Sequence, residues 1–237
     1  MGSTAKAVAA GLCALTLGAL AAPGLPRFSA LAPGGPITGW SALRPAPKAP
    51  DTRYSLISDD GQTVIKAEAQ ASMSGLVYRF DPPLANAQRL SWRWRIAGVP
   101  HKGDLRTKAG DDYAARVYVL FDYPRERLSL LTRTQLALAE AFYGQPLPTA
   151  ALNYVWDNRA TIGTLRPNAY TDRARMMVLQ SGSARVGQWV TETRDVAADF
   201  RAAFGEAPPP IAGIAIATDS DNTGETLTAW YGDLTLE

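Results

Sequence analysis

The 237-residue chain is 46% hydrophobic and 19% charged, with a formal net charge of +2. These values exclude a disordered or polyionic chain, and so small a net charge supplies no field to draw in nucleic acid. Six Trp and nine Tyr provide large amphipathic rings, which build cores and also sugar-binding platforms.

In chain order, Lys6 gives a basic start and Ala7 to Ala22 is uncharged, with small residues at Ala19-Leu20-Ala21 ahead of Pro23 and Gly24. This is the pattern of a secretory signal peptide over residues 1–21. The run is too short and too rich in Ala and Gly for a membrane anchor, so the expected mature chain has no transmembrane span. Cleavage would remove Cys13, the only cysteine, and with it disulfides, thiolate chemistry and Cys-based metal sites. Ala10-Gly11-Leu12 lacks the small residue that precedes a lipidated Cys. The expected location is periplasmic or secreted, and about 215 residues remain, enough for one β-sandwich.

Residues 22–50 form a Pro/Gly-rich lead-in, with Ile37 and Trp40 expected to dock on a domain spanning 51–237. Tyr54 to Ile57 and Thr63 to Ala69 read as strands joined by a hairpin turn at Asp59-Asp60-Gly61. Leu76 to Phe80 reads as a strand stopped by Asp81-Pro82-Pro83. Leu90 to Ile96, LSWRWRI, alternates cleanly, with Leu90, Trp92, Trp94 and Ile96 on one face. Ala115 to Asp122 sets Val117, Val119 and Phe121 against Arg116, Tyr118, Leu120 and Asp122. A helix is predicted over Arg125 to Tyr143, capped by Gly144, and another over Asp195 to Phe204, closed by Gly205. Asn153 to Trp156, Arg175 to Gln180, Trp189 to Arg194, Ile211 to Thr218 and Thr226 to Leu236 complete the strands. The expected fold is mainly β, a single-domain jelly-roll-like antiparallel β-sandwich with one or two short helices.

Three segments hold chemistry-bearing residues. In DSDNTGE, Asp219, Asp221 and Asn222 offer hard oxygens suited to calcium, and the same residue types make a polar hairpin turn. The loop Pro100 to Asp112 carries the single His, His101, with Lys102, Asp104, Arg106, Lys108, Asp111 and Asp112, where rigid sheets often place binding groups. Trp156, Asp157, Asn158 and Arg159, with Asn168, Tyr170, Asp172 and Arg173 downstream, have the composition of a sugar site or of a strand end that fixes a long loop. No G-x-S-x-G, H-E-x-x-H, phosphate loop or dinucleotide fingerprint is present, which argues against serine hydrolases, zinc proteases and nucleotide enzymes.

These segments, LSWRWRI, LRTKAGDDYAARVYVLFDYP (105–124), YVWDNR (154–159), NAYTDRARMMVLQSG (168–182), WVTETRDVAADFRAAFG (189–205) and IAIATDSDNTGETLTAWYGDL (214–234), resemble the bacterial domain-of-unknown-function family numbered 3047. The resemblance covers most of the chain after about residue 38 in order. It implies an exported single-domain protein and transfers no catalytic residue. The closing pattern, from a helix through IAIATDSDNTGE to a strand ending in YGDL, is also similar to the last strands of carbohydrate-binding jelly rolls. The leading expectation is a glycan or related polar ligand contacted by Lys108, Asp111, Asp112, Arg116, Trp156, Asp157, Asn158 and Arg159. A second is a polysaccharide lyase using Tyr113, Arg116, Lys108 and His101, or a glycosidase using Asp112 and Asp157. A third is a non-catalytic envelope interaction protein. None of these features specifies an oligomeric state.

Overall fold

The computed structural model describes residues 24–46, 48–85, 89–143 and 149–237. The segment read as a signal peptide and the helix cap at Gly144 lie outside them. Among the described residues, twelve strands build two sheets. The seven-stranded sheet contains β1 (Ser41–Leu43), β4 (Met73–Leu84), β6 (Ala115–Phe121), β7 (Ala150–Asp157), β8 (Leu165–Pro167), β9 (Ala174–Ser181) and β11 (Ile211–Asp219). Its order is β1-β4-β11-β6-β7-β9-β8. The five-stranded sheet is built from β2 (Arg53–Asp59), β3 (Gln62–Gln70), β5 (Arg89–Ile96), β10 (Val190–Asp195) and β12 (Thr226–Leu236). Its order is β10-β5-β12-β3-β2. Two helices, α1 (Leu130–Tyr143) and α2 (Val196–Phe204), accompany them. The protein is a β-sandwich, antiparallel except where β7 runs parallel to β9. No helix among the described residues is long and apolar enough to cross a membrane.

Alternation along the strands sorts side chains to the two faces of each sheet. In β5, Leu90, Trp92, Trp94 and Ile96 all point inward, as their spacing predicts. From the opposite sheet, Leu152, Tyr154 and Trp156 of β7 and Val117, Val119 and Phe121 of β6 meet them. Trp92 and Trp94 meet edge to face at 5.4 Å, Trp92 lies 5.3 Å from Tyr154, and Trp94 lies 6.0 Å from Trp156. These offset and tilted arrangements add to the apolar burial of the rings. The lead-in contributes to the same core through Leu25, Phe28 and Trp40, with Ile37 packed against it.

Turn chemistry is equally local. Asp60 and Gly61 both have positive φ, 48° and 76°, the type I′ geometry that a two-residue hairpin between β2 and β3 requires. Asp195 caps α2 by accepting a hydrogen bond from the Ala198 amide at 2.8 Å.

Two expectations need correcting, and two short strands were not foreseen. The strand expected to stop at Asp81-Pro82-Pro83 continues to Leu84 as β4. There, Arg79 to Leu84 face only Gly213 to Ile211 of β11, so the prolines occupy a bulge and no ladder bond is lost to their missing N–H. The helix expected from Arg125 is instead a 3-10 turn over Arg125–Arg127 followed by α1. Ser129 sets that start, its Oγ accepting from the Thr132 amide at 3.1 Å. The short strands β1 and β8 lack any alternation long enough to read.

Trp94 is completely buried at the junction of the aromatic cluster. Trp94→Ala is therefore expected to destabilise the fold by about 3–5 kcal/mol in urea unfolding, the range for aromatic truncation in a core. A loss below about 1 kcal/mol, the level of an ordinary substitution, would contradict this packing.

Candidate functional site

The outward face of the seven-stranded sheet carries the chemistry. Because Val117 and Val119 point into the core, Arg116 and Tyr118 of β6 point out. The pairing of Tyr118 with Asn153 brings the only outward amide of β7 beside them. Met73 of β4 pairs with Asp219 at the end of β11. These residues and Ala174 of β9 floor a cleft of about 350 Å³. Its walls come from Pro45 and Ala46 after β1, Asp111 before β6, Asn168 and Tyr170 before β9, and Asp221 and Asn222 in the β11–β12 turn.

A buried ion pair lies in the floor, and its guanidinium ties the floor to the wall at Asp111. Arg116 is 3% exposed and Asp219 is 1% exposed. Arg116 Nε donates to Asp219 Oδ1 at 2.7 Å, and its second donor bonds Asp219 Oδ2. The guanidinium also donates to the Asp111 carbonyl and to Tyr118 Oη at 3.1 Å, and lies 4.3 Å above the Tyr113 ring. From the core side, Tyr231 Oη accepts from the Arg116 amide at 3.3 Å and donates to the Ala217 carbonyl at 2.6 Å. Burial works against the charge of Arg116, but Asp219, Tyr118 and Asp111 outweigh it and hold the guanidinium protonated. Burial raises the Asp219 carboxyl, Arg116 opposes that rise, and the charges of Asp112 and Asp111 add to it. Burial likewise pushes the Tyr118 phenol up to about 12.

The walls are held by further hydrogen bonds. Asn168 Nδ2 donates to both oxygens of Asp111, at 3.1 and 3.0 Å. Tyr170 Oη donates to Asn222 Oδ1 at 2.7 Å, and Lys108 sits 5.1 Å over the Tyr170 ring. Asp112 accepts from the amides of Asn222 and Thr223 at 3.3 and 2.6 Å and from Asn222 Nδ2 at 3.1 Å. Gly110 closes the wall loop: its carbonyl accepts from the Asp104 amide at 2.8 Å, and a Cβ on it would lie 2.5 Å from that nitrogen.

Asn153 is the exception. It is 1% exposed, its Nδ2 donates to Met176 Sδ at 3.2 Å, and its Oδ1 has no partner. A buried acceptor without a partner costs free energy, and this one lines the cleft. A smaller depression of about 220 Å³ on the five-stranded sheet, bordered by Ser29, Gln62, Arg93 and Asp233, has no unpartnered acceptor of this kind among the described residues; the unpartnered indole nitrogen of Trp92 belongs to a side chain packed in the core. There Ser29 bonds Asp233 and Arg93 bonds Gln62.

Of the residues expected from sequence, Asp111, Arg116, Asp219, Asp221 and Asn222 line the cleft. Asp112 stands behind the turn and Lys108 stands at the rim. Trp156 is fully buried, with its indole N–H donating to the Gly182 carbonyl at 3.1 Å, so its ring presents no face to a sugar. Asp157 accepts from the Arg159 and Ala160 amides at 2.7 and 2.6 Å. Asn158 and Arg159 brace the neighbouring loop through the Gly103 carbonyl. These four fix a loop outside the cleft. The Asp112–Asp157 acid pair is therefore not assembled: Asp112 is turned to the amides of Asn222 and Thr223, and Asp157 to those of its own turn. Tyr113 is buried beneath Arg116, and His101 sits 93% exposed beside Glu225, away from the cleft.

The sequence leaves Asp219, Asp221 and Asn222 open to two readings, a calcium site or a polar hairpin turn. Oxygens of Asp112, Asp219 and Asp221 do lie within 4.8 Å of one another. Yet Asp219 is held by Arg116, Asp112 by the turn amides, and the Asn222 oxygen by Tyr170. A guanidinium bonded directly to one carboxylate disfavours a dication beside it, so these oxygens serve the hydrogen-bonded wall of the cleft. Sequence reading missed Asn153, although a lone amide on the outward register of an apolar strand was its signal.

Two measurements follow. Removing one partner of a buried pair strands a charge, so Arg116→Met is expected to lose about 3–5 kcal/mol of stability, and Arg116→Met with Asp219→Leu to recover a large part of it. A single variant as stable as wild type would contradict the pair. Millimolar calcium is expected to leave the melting temperature unchanged, and a rise of several degrees would contradict the closed donor set.

Among solved structures, the chain is similar to the K3 cleaved adhesin domain of Lys-gingipain from Porphyromonas gingivalis w83, at 8% identity, over 90% of this chain and 93% of that one, with a TM-score of 0.38. The cellulose-induced protein Cip1 matches at 14% identity over 86% and 93%, with a TM-score of 0.35. The family 11 xylanase from Neocallimastix patriciarum matches at 11% identity over 86% and 92%, with a TM-score of 0.34. No curated protein sequence matches the chain. A family profile does, over residues 38–235, and the chain belongs to that family, described as protein of unknown function (DUF3047).

Proposed function

We propose that this is an exported binding protein whose sandwich takes up a glycan or related polar ligand in the cleft floored by Arg116, Tyr118 and Asn153. The observation that carries the reading is the unpartnered, buried Oδ1 of Asn153 at the floor of that cleft. A volume of about 350 Å³ accommodates a small saccharide unit, within the range of about 300–1,000 Å³ common for ligand sites. Tyr170 is 55% exposed at the rim, where its ring can stack on an apolar sugar face. The floor is fixed beforehand by the Arg116 network, which lowers the ordering cost of binding.

Export rests on Lys6, the apolar run and Ala19-Leu20-Ala21. N-terminal sequencing of the protein recovered outside the cytoplasm is expected to begin at or beside Ala22, and a chain retaining Cys13 would contradict it. For binding, calorimetric titration with a panel of oligosaccharides is expected to find a ligand whose affinity falls about five- to tenfold in Tyr170→Ala, the worth of one aromatic stacking contact. Silence across a broad panel, or equal affinity in Tyr170→Ala and Asn153→Leu, would overturn the proposal.

A further inference from the structure

We infer that the ligand of this cleft is a saccharide bearing a protonated amine, of the kind found in a de-N-acetylated amino sugar. This rests on the glycan reading above and adds the charge and hydrogen-bonding character of the ligand.

The first observation is which groups are already engaged. Every side-chain amide and guanidinium lining the cleft donates to a protein partner among the described residues. Arg116 serves Asp219, Tyr118 and the Asp111 carbonyl. Asn168 Nδ2 serves Asp111, Asn222 Nδ2 serves Asp112 and Asp221, and Asn153 Nδ2 serves Met176. The acceptors are not balanced in the same way. Asn153 Oδ1 has no partner. Asp221 takes part in one side-chain bond, accepting from Asn222 Nδ2 at 3.2 Å through Oδ1. The orientation of the Asn153 amide follows from its neighbour, since the N–H donates to the Met176 sulfur whereas the oxygen would be repelled by it. Apart from the Tyr118 hydroxyl, which accepts from Arg116 and keeps its own proton to donate, the cleft presents acceptors and asks for donors.

The second observation is charge. Three carboxylates, Asp111, Asp219 and Asp221, line the cleft against one guanidinium, Arg116, with Asp112 directly behind and Lys108 at the rim over Tyr170. Burial first, and then the charge of Asp112, raise the Asp221 carboxyl, while Arg116 opposes that rise. An ammonium group supplies three donors, no acceptor and one positive charge. An anionic sugar would meet the opposite: like charge, and amide and guanidinium donors already committed. A divalent cation would need oxygens that Asn222, Thr223 and Arg116 already occupy.

The test compares glucosamine oligomers with N-acetylglucosamine and neutral glucose oligomers of equal length, titrated into the mature full-length protein and its Asp221→Asn variant. The free-amine series is expected to bind at least about tenfold more tightly than either other series, and Asp221→Asn to remove most of that preference. If the acetylated or neutral oligomers bind as tightly or more tightly, the amine inference is overturned and the glycan reading stands. If Asp221→Asn leaves the preference intact while its melting temperature matches wild type, the inference is overturned at this residue. If no series binds, the amine inference is overturned, and the glycan reading is decided by the broad oligosaccharide panel.

Discussion

The guanidinium of Arg116 stands where three parts of the structure meet. It lies on β6, it is bonded to the carboxylate that ends β11, and it carries the carbonyl of Asp111 from the wall loop. Bringing a charge to 3% exposure requires that its donors find partners, because an unpaired buried ion is far costlier than an unpaired neutral group. That demand fixes the position of Asp219, the height of Tyr118 and the path of the loop at Asp111. A cleft whose floor is set this way needs little reorganisation to receive a ligand.

The aromatic core holds the strands on which that network is built. Trp92, Trp94, Tyr154 and Trp156 interlock between the sheets and keep β7 and its neighbour β6 against β5. Tyr231 crosses from β12 with its ring in the core and its hydroxyl against Thr218, the Ala217 carbonyl and the Arg116 amide. One side chain thus ties the apolar interior to the polar network of the opposite face. A sandwich lacking disulfides among its described residues depends on such couplings between core and site.

Much of the fold is legible in the sequence because its signals are local. LSWRWRI declares its inward face by alternation, Asp60-Gly61 declares its turn, and Asp195 declares the start of α2. The site is legible only in part. Asp111, Arg116, Asp219, Asp221 and Asn222 stand out as polar residues near strand ends, but Arg116 and Asp219 are separated by 103 positions, and no local pattern encodes their convergence. Asn153 is hidden in an apolar strand and becomes meaningful only when β6 lies beside it. Trp156 to Arg159 mislead for the converse reason. A Trp beside Asp, Asn and Arg suits a sugar site, and it equally suits a strand end that buries its ring and caps its turn. Parity along β7 decides between them, since Trp156 shares the inward register of Tyr154.

The central claim is that ligand recognition occurs on the outward face of the seven-stranded sheet. A crystal structure of the protein with a bound oligosaccharide tests it most directly. The account predicts saccharide density between Tyr118, Asn153 and Tyr170, with a hydrogen bond to Asn153 Oδ1. Density seated instead on the five-stranded sheet, beside Arg93 and Trp189, would contradict it.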